Sequence, residues 1–193
     1  MSLEIRYVWA SIRTLLVLTL ILGVAYPFVI FGVGQVGFHS AANGSMIASH
    51  GKAVGSSLIG QQFTGAAWFQ SRPSAAGAGY DPLASGASNL APTSPVLLKQ
   101  VEQRKAAIAA ADGVAPAAIP ADALTASGSG LDPNISPAYA AIQVARVARV
   151  RGLSQTAVQV LVQRYTTGRV LGFLGEPVVN VLRLNLALAA TAK

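Results

Sequence analysis

The residues Thr14-Leu15-Leu16-Val17-Leu18-Thr19-Leu20-Ile21-Leu22-Gly23-Val24-Ala25-Tyr26-Pro27-Phe28-Val29-Ile30-Phe31-Gly32-Val33-Gly34-Gln35-Val36 carry no charge. As a helix rising about 1.5 Å per residue, this run spans roughly 35 Å. A bilayer's hydrocarbon core is about 30 Å thick, so the run crosses it with a little tilt. Arg6 and Arg13 stand just before it, and the next Lys or Arg after it is Lys52. That bias sets the expected topology: residues 1–13 cytoplasmic, 14–36 transmembrane, 37–51 a connector and 52–193 an extracytoplasmic head. Ser40 and Ala42 resemble a weak signal-cleavage site, but a signal peptide's apolar core is shorter than this run, and a retained anchor is the better reading. Pro27 removes a backbone donor and is expected to kink the helix around Gly23. Gly23, Pro27 and Gly32 also let a second helix approach closely, so they are the expected packing surface in the membrane.

Composition bounds the rest. The 193 residues include no cysteine, which removes disulfide and thiolate chemistry. The net charge is +7. Only Arg6, Arg13 and Glu4 leave with the anchor, so the head stays basic and suits anionic lipid headgroups or an acidic partner. No aromatic ladder accompanies the cations, which argues against nucleic acid.

Within the head, Lys52 to Phe63 reads as one or two short strands, and residues 71–92 as irregular backbone rich in Gly, Pro and Ser. A loop that long usually serves function or binds something. Ser94-Pro95 and Ser136-Pro137 each pair a capping side chain with a first-turn proline, which predicts helices ending at Gly113 and near Gly152. In the second of these, Ala140, Ala141, Val144, Val147 and Ala148 form the expected inner stripe, with Arg146 and Arg149 opposite. Ser154 caps a third helix carrying Val158, Leu161, Val162 and Tyr165. Leu182, Leu184, Leu186 and Leu188 alternate with Arg183, Asn185 and Ala187, the period of a half-buried strand. The fold class expected is α+β: about three helices packed on one face of a small sheet, after a single transmembrane helix.

No catalytic set assembles. The stretch Ser127-Gly128-Ser129-Gly130-Leu131-Asp132-Pro133 lacks a following Walker lysine and reads as a tight turn before Ser136. The two histidines, His39 and His50, lie in the connector, with no nucleophile elbow and no cysteine to complete a zinc set. Asp81, Glu102, Asp112, Asp122, Asp132 and Glu176 are scattered and suit caps or surface charges. The chain reads as a non-catalytic partner with no metal and no intrinsic cofactor.

An ordered set of motifs then becomes specific: Asn43-Gly44-Ser45, Gly55-Ser56-Ser57-Leu58-Ile59-Gly60-Gln61, Ser71-Arg72-Pro73-Ser74-Ala75, and Ser85-Gly86-Ala87-Ser88-Asn89-Leu90. Thr125-Ala126-Ser127-Gly128-Ser129-Gly130-Leu131-Asp132-Pro133 follows, then Gln143 with Arg146-Val147-Ala148, and Gly175-Glu176-Pro177-Val178-Val179-Asn180-Val181 running into Leu184-Asn185-Leu186-Ala187-Leu188. Together they closely resemble the C subunit of the bacterial potassium-transporting P-type ATPase, the Kdp system, over nearly the whole chain. The sequence departs from common family forms at Asn134, where histidine is frequent, and at Ala91, where glycine is.

The resemblance implies an inner-membrane complex with a channel-like potassium-translocating subunit, a P-type ATPase subunit and a small single-helix subunit. ATP and potassium are handled by that complex. This subunit is described in the family as a catalytic chaperone raising the pump's ATP affinity, and Gln143 matches the glutamine implicated in nucleotide contact. The cation bias puts Gln143 on the far side of the membrane from cytoplasmic ATP, so stabilisation and coupling of subunits is the preferred expectation. Ser71, Arg72, Asn89, Ser127, Asp132 and Ser136 are the candidate subunit-contact or loop residues. A cap or filter over the potassium entrance and a stand-alone membrane-tethered binding module are the alternatives.

Overall fold

The computed structural model describes residues 3–191; the outermost residues of the expected N-terminal segment (1–2) and head (192–193) lie outside that range. The chain divides into two compact units after Met46.

The first unit is built on helix α1 (Leu3–Leu20), a π-helical turn (Ile21–Ala25) and helix α2 (Tyr26–Gly37). The run Glu4–Gly37 is one helix long and apolar enough to cross a membrane. Its large side chains, such as Leu15, Phe28 and Phe31, face outward rather than into a core. The π turn falls where Pro27 was expected to disturb the helix. The N–H of Tyr26 reaches back five residues to the Ile21 carbonyl, which widens the turn around Gly23. The segment read as a plain connector contains a helical turn, α3 (His39–Ala42), and then strand β1 (Met46–Ser49), which belongs to the second unit from Ile47 on. Asn43 closes α3: its amide donates to the His39 carbonyl at 2.7 Å and to Gln35 Oε1 at 3.0 Å.

In the second unit, β2 (Lys52–Ser56) pairs with β1 in a two-stranded sheet. The strand structure expected over Lys52 to Phe63 ends at Ser56. No helix or strand occurs from there to helix α4 (Pro95–Asp112), a stretch that includes the irregular backbone expected at 71–92. Two 3-10 turns (Pro116–Ala118 and Ala121–Ala123) lead to β3 (Asn134–Ile135), helix α5 (Pro137–Arg151) and helix α6 (Gln155–Arg164). Strands β4 (Thr166–Thr167) and β5 (Val178–Asn180) and helix α7 (Val181–Thr191) complete it. β5 is central in a three-stranded antiparallel sheet, with Ile135 and Thr166 both opposite Val179.

The expected caps form. Ser94, Ser136 and Ser154 accept hydrogen bonds from the N–H groups of Leu97, Tyr139 and Ala157, each cap contributing about 1 kcal/mol. Gly113 and Gly152 end α4 and α5 in the left-handed region, at φ 67° and 66°, where a Cβ is unfavourable.

The α+β class stands, with one element changed. The alternating leucines form a helix, not a strand. Val181, Leu184, Asn185 and Leu188 recur at three- and four-residue spacing and are all buried, while Leu186 is only half-buried. Period two over so short a run coincides with period 3.6, and the buried Asn185 decides between them. A second correction concerns α5. Arg146 is buried at 4% exposure and Ala141 is exposed, because the irregular segment before Ser71 covers the face assigned to solvent. The core joins Phe69, Ile135, Val147, Val158, Val179, Leu184 and Leu188, drawing on the helices, the sheet and that segment.

Candidate functional site: a polar seam and a loop clasp

Residues 66–70 form a turn and bend that lead into irregular backbone without a strand partner, and side chains complete its backbone hydrogen bonding. Asn185 of α7 pairs with Phe69 in both directions, accepting its N–H at 2.9 Å and donating to its carbonyl at 2.9 Å. Gln143 of α5 treats Gln70 the same way, at 2.6 and 3.3 Å. Arg146 donates to the carbonyls of Ala66 (2.6 Å) and Trp68 (2.9 Å), and Arg151 to that of Ala67 (2.7 Å). Two amides and two guanidiniums thus replace a neighbouring strand, as buried peptide groups require. The Arg151 guanidinium also lies 4.2 Å from the Trp68 ring centre, a cation–π contact.

Arg146 links the seam to α4. Its Nε donates to Asp112 Oδ1 at 2.6 Å and its Nη2 to Gln143 Oε1 at 2.8 Å. Asp112 ends α4, where the helix dipole disfavours a carboxylate, and the guanidinium offsets that field. The pair's side chains are 5% and 4% exposed, so each charge depends on the other. Burial, and then the Asp112 charge, pushes the neighbouring Tyr139 phenol well above its ordinary value.

A second cluster joins the long loop to residues 127–132. Arg72 donates to Asp132 Oδ2 at 2.9 Å and to the Thr125 carbonyl at 3.4 Å. Tyr80 donates its hydroxyl to the Arg72 carbonyl, and burial raises its pKa. Ser74 donates to the Gly130 carbonyl at 2.6 Å while accepting from Tyr80 N–H at 2.8 Å. A Cβ on Gly130 would sit 2.6 Å from the Gly86 carbonyl oxygen and 2.7 Å from Ala76 N, so only glycine permits this closeness. Ser127 accepts from Asp132 N–H at 3.4 Å, and Ser71 donates to the Gln61 carbonyl at 2.9 Å.

Of the residues singled out, Ser71, Arg72, Ser127 and Asp132 therefore meet in or beside this clasp. Ser136 lies apart, where it caps α5 and donates to Asp122 Oδ1 at 2.8 Å. Asn89 is exposed in a left-handed conformation, φ 51°. Gln143 belongs to the seam and is fully buried. Gly23, Pro27 and Gly32 lie on the long helix, where a Cβ at Gly32 would meet nothing within 4 Å. Sequence reasoning missed Asn185, Arg146, Arg151 and the Asp112 pairing. The one available signal was Asn185, an amide inside an apolar run.

Between seam and clasp lies a cavity of about 400 Å³, lined by Phe63, Arg72, Tyr80, Arg104, Ile108 and Tyr139 among others. Arg104 donates to the Leu124 carbonyl at 2.7 Å, and burial lowers its pKa. Among the described residues, no three His, Cys, Asp or Glu side chains cluster to hold a metal. Most polar groups of the seam and clasp are satisfied within the head, and the exception among the described residues is the buried Arg72 Nε, which has no hydrogen-bond partner.

A family model for the K+-transporting ATPase, c chain, matches residues 8–190. Proteins named potassium-transporting ATPase KdpC subunit are similar over nearly their full length. The one from Kineococcus radiotolerans is 58% identical over 196 residues, covering 100% of both chains. The one from Koribacter versatilis is 52% identical, covering 94% of this chain and 93% of the relative. The one from Mycobacterium bovis is 48% identical, covering 95% and 97%. A match that spans both the long apolar helix and the seam leaves one conclusion: this chain belongs to the KdpC family, the c chain of the K+-transporting ATPase.

Proposed function

We propose that this chain is an accessory, non-catalytic subunit that stabilises a potassium-importing ATPase and couples its channel-like and P-type subunits. Its head stands outside the bacterial inner membrane and its N-terminus in the cytoplasm, with lipid and the complex's small single-helix subunit around its anchor. One observation carries the reading: Gln143, the residue linked to nucleotide by resemblance, has 0% exposure and uses its amide on Gln70 and Arg146. A nucleotide would have to break that seam to reach it. An effect on the pump's ATP affinity then passes through a conformational equilibrium of the complex.

The filter alternative gains less support. Two of the head's carboxylates, Asp132 and Glu176, are already held by Arg72 and Arg169 at 2.9 and 2.8 Å. A basic head also repels K⁺ within a Debye length of about 8 Å. Affinity purification of the tagged full chain is expected to recover the channel-like and P-type subunits. A chain that elutes alone and monodisperse would replace this reading with the tethered module. Protease added to intact spheroplasts is expected to digest the head, and survival there with cleavage in inverted vesicles would reverse the topology.

A further inference from the structure

The hairpin between β4 and β5 carries its apolar residues on the outside. Leu171 is 80% exposed, Phe173 69%, Val170 63% and Leu174 49%. The hairpin is nevertheless firmly built. Val170 and Leu174 exchange both backbone hydrogen bonds at 2.9 Å. Arg169 Nη2 donates to both oxygens of Glu176, at 2.9 and 2.8 Å, and bridges the two arms below the tip. The arms continue into the sheet, where Val179 is fully buried. At the tip Leu171 adopts φ 54°, a left-handed conformation that a branched side chain disfavours. Such strain persists where the surrounding structure enforces it, commonly at ligand clamps and switches. An apolar patch held out in this way marks an interaction site.

We infer that residues 170–174 form a docking finger that enters an apolar pocket on another protein subunit of the same assembly; this rests on the multi-subunit reading above. Charge selects a protein pocket over a lipid surface. Residues 165–177 have no net charge, since Arg169 and Glu176 neutralise each other. A finger for anionic headgroups would present free cations beside its apolar tip. A neutral polar shoulder around aromatic and aliphatic anchors is the pattern of a protein–protein interface.

The test places the photocrosslinker p-benzoylphenylalanine at position 173 of the tagged full chain, in the intact membrane complex. Irradiation is expected to join this chain to one different protein subunit, and a second substitution, Leu171→Asp, to cut the adduct about tenfold. An adduct with lipid, an adduct with a second copy of this chain, or no protein adduct overturns the finger. Because Leu171→Asp could disturb folding, Leu171→Gly provides a second arm. Glycine suits φ 54°, so the head's thermal midpoint should hold or rise by a few degrees while recovery of the partner falls. Unchanged recovery with both variants also overturns the inference. Co-purification of the unaltered chain reads out the subunit assignment separately. If it recovers partners while the crosslink fails, only the finger falls; if it recovers none, the assignment falls and the finger with it.

Discussion

The seam at residues 66–70 and the finger at residues 170–174 invert each other. At the seam, amides, guanidiniums and a carboxylate lie inside, and their polar groups find partners within the head. At the finger, leucine, valine and phenylalanine stand outside with nothing of the head to cover them. An Arg–carboxylate pair in each region repeats the contrast: Arg146–Asp112 is 5% and 4% exposed, Arg169–Glu176 45% and 76%. Satisfied polar groups inside make one rigid arrangement. Unsatisfied apolar groups outside leave energy that only another molecule can release. The difference separates the part of the head that sets its shape from the part available for contact.

Breaking the seam should produce the largest effect. Asp112→Ala leaves the Arg146 guanidinium buried without its counter-ion and is expected to cost about 3–5 kcal/mol. Circular dichroism melts of the full chain in detergent would then show a midpoint lower by roughly 10 °C or more. A midpoint within a degree or two of the unaltered chain would remove the seam from the head's stability. Asn185→Leu keeps the branched outline but strands the Phe69 N–H and carbonyl, and should cost about 3 kcal/mol by denaturant titration.

Alkaline pH probes the head more gently, through Tyr139 beside the seam and Tyr80 in the clasp. Tyr80 and Tyr139 have pKa values raised above 10.0 in the folded head, chiefly by burial. Their contribution is complete below the unfolded value and is lost as pH rises past about 10 toward the folded values. Melting midpoints should therefore decline from pH 9 to pH 11, and Tyr139→Phe should flatten that decline.

The finger should behave in the opposite sense. Leu171→Gly relieves a left-handed backbone and is expected to raise stability by about 1 kcal/mol in equilibrium unfolding, despite removing a large apolar side chain. Arg169→Gln, which breaks the exposed pair, should shift stability by less than about 0.5 kcal/mol. A larger loss there would mean that the exposed fork behaves like the buried one, and the contrast between the regions would narrow.

What was legible in the sequence was local. Ser94, Ser136 and Ser154 cap the helices they precede, and Gly113 and Gly152 end theirs, because capping depends on a few adjacent residues. The long helix was legible for a similar reason, since lack of charge over one run suffices. The seam was not. Asn185 binds Phe69 across 116 positions and Gln143 binds Gln70 across 73, and no local pattern encodes such a meeting. Arg146 was placed outward because periodicity treats a charge as solvated, whereas a folded segment can bring it carbonyls and a carboxylate instead. The α7 error was one of length: seven residues fit alternation and helical recurrence alike.

The placement of the two tryptophans has a practical consequence. Trp9 belongs to the long helix, and Trp68 lies beneath Arg151 in the head. Replacing Trp9 with phenylalanine leaves one indole in this chain, half-buried beside the Arg151 guanidinium and the Phe63 ring, giving an intrinsic optical gauge of the seam. With that gauge, fluorescence of the purified chain in detergent can follow the seam without an added dye.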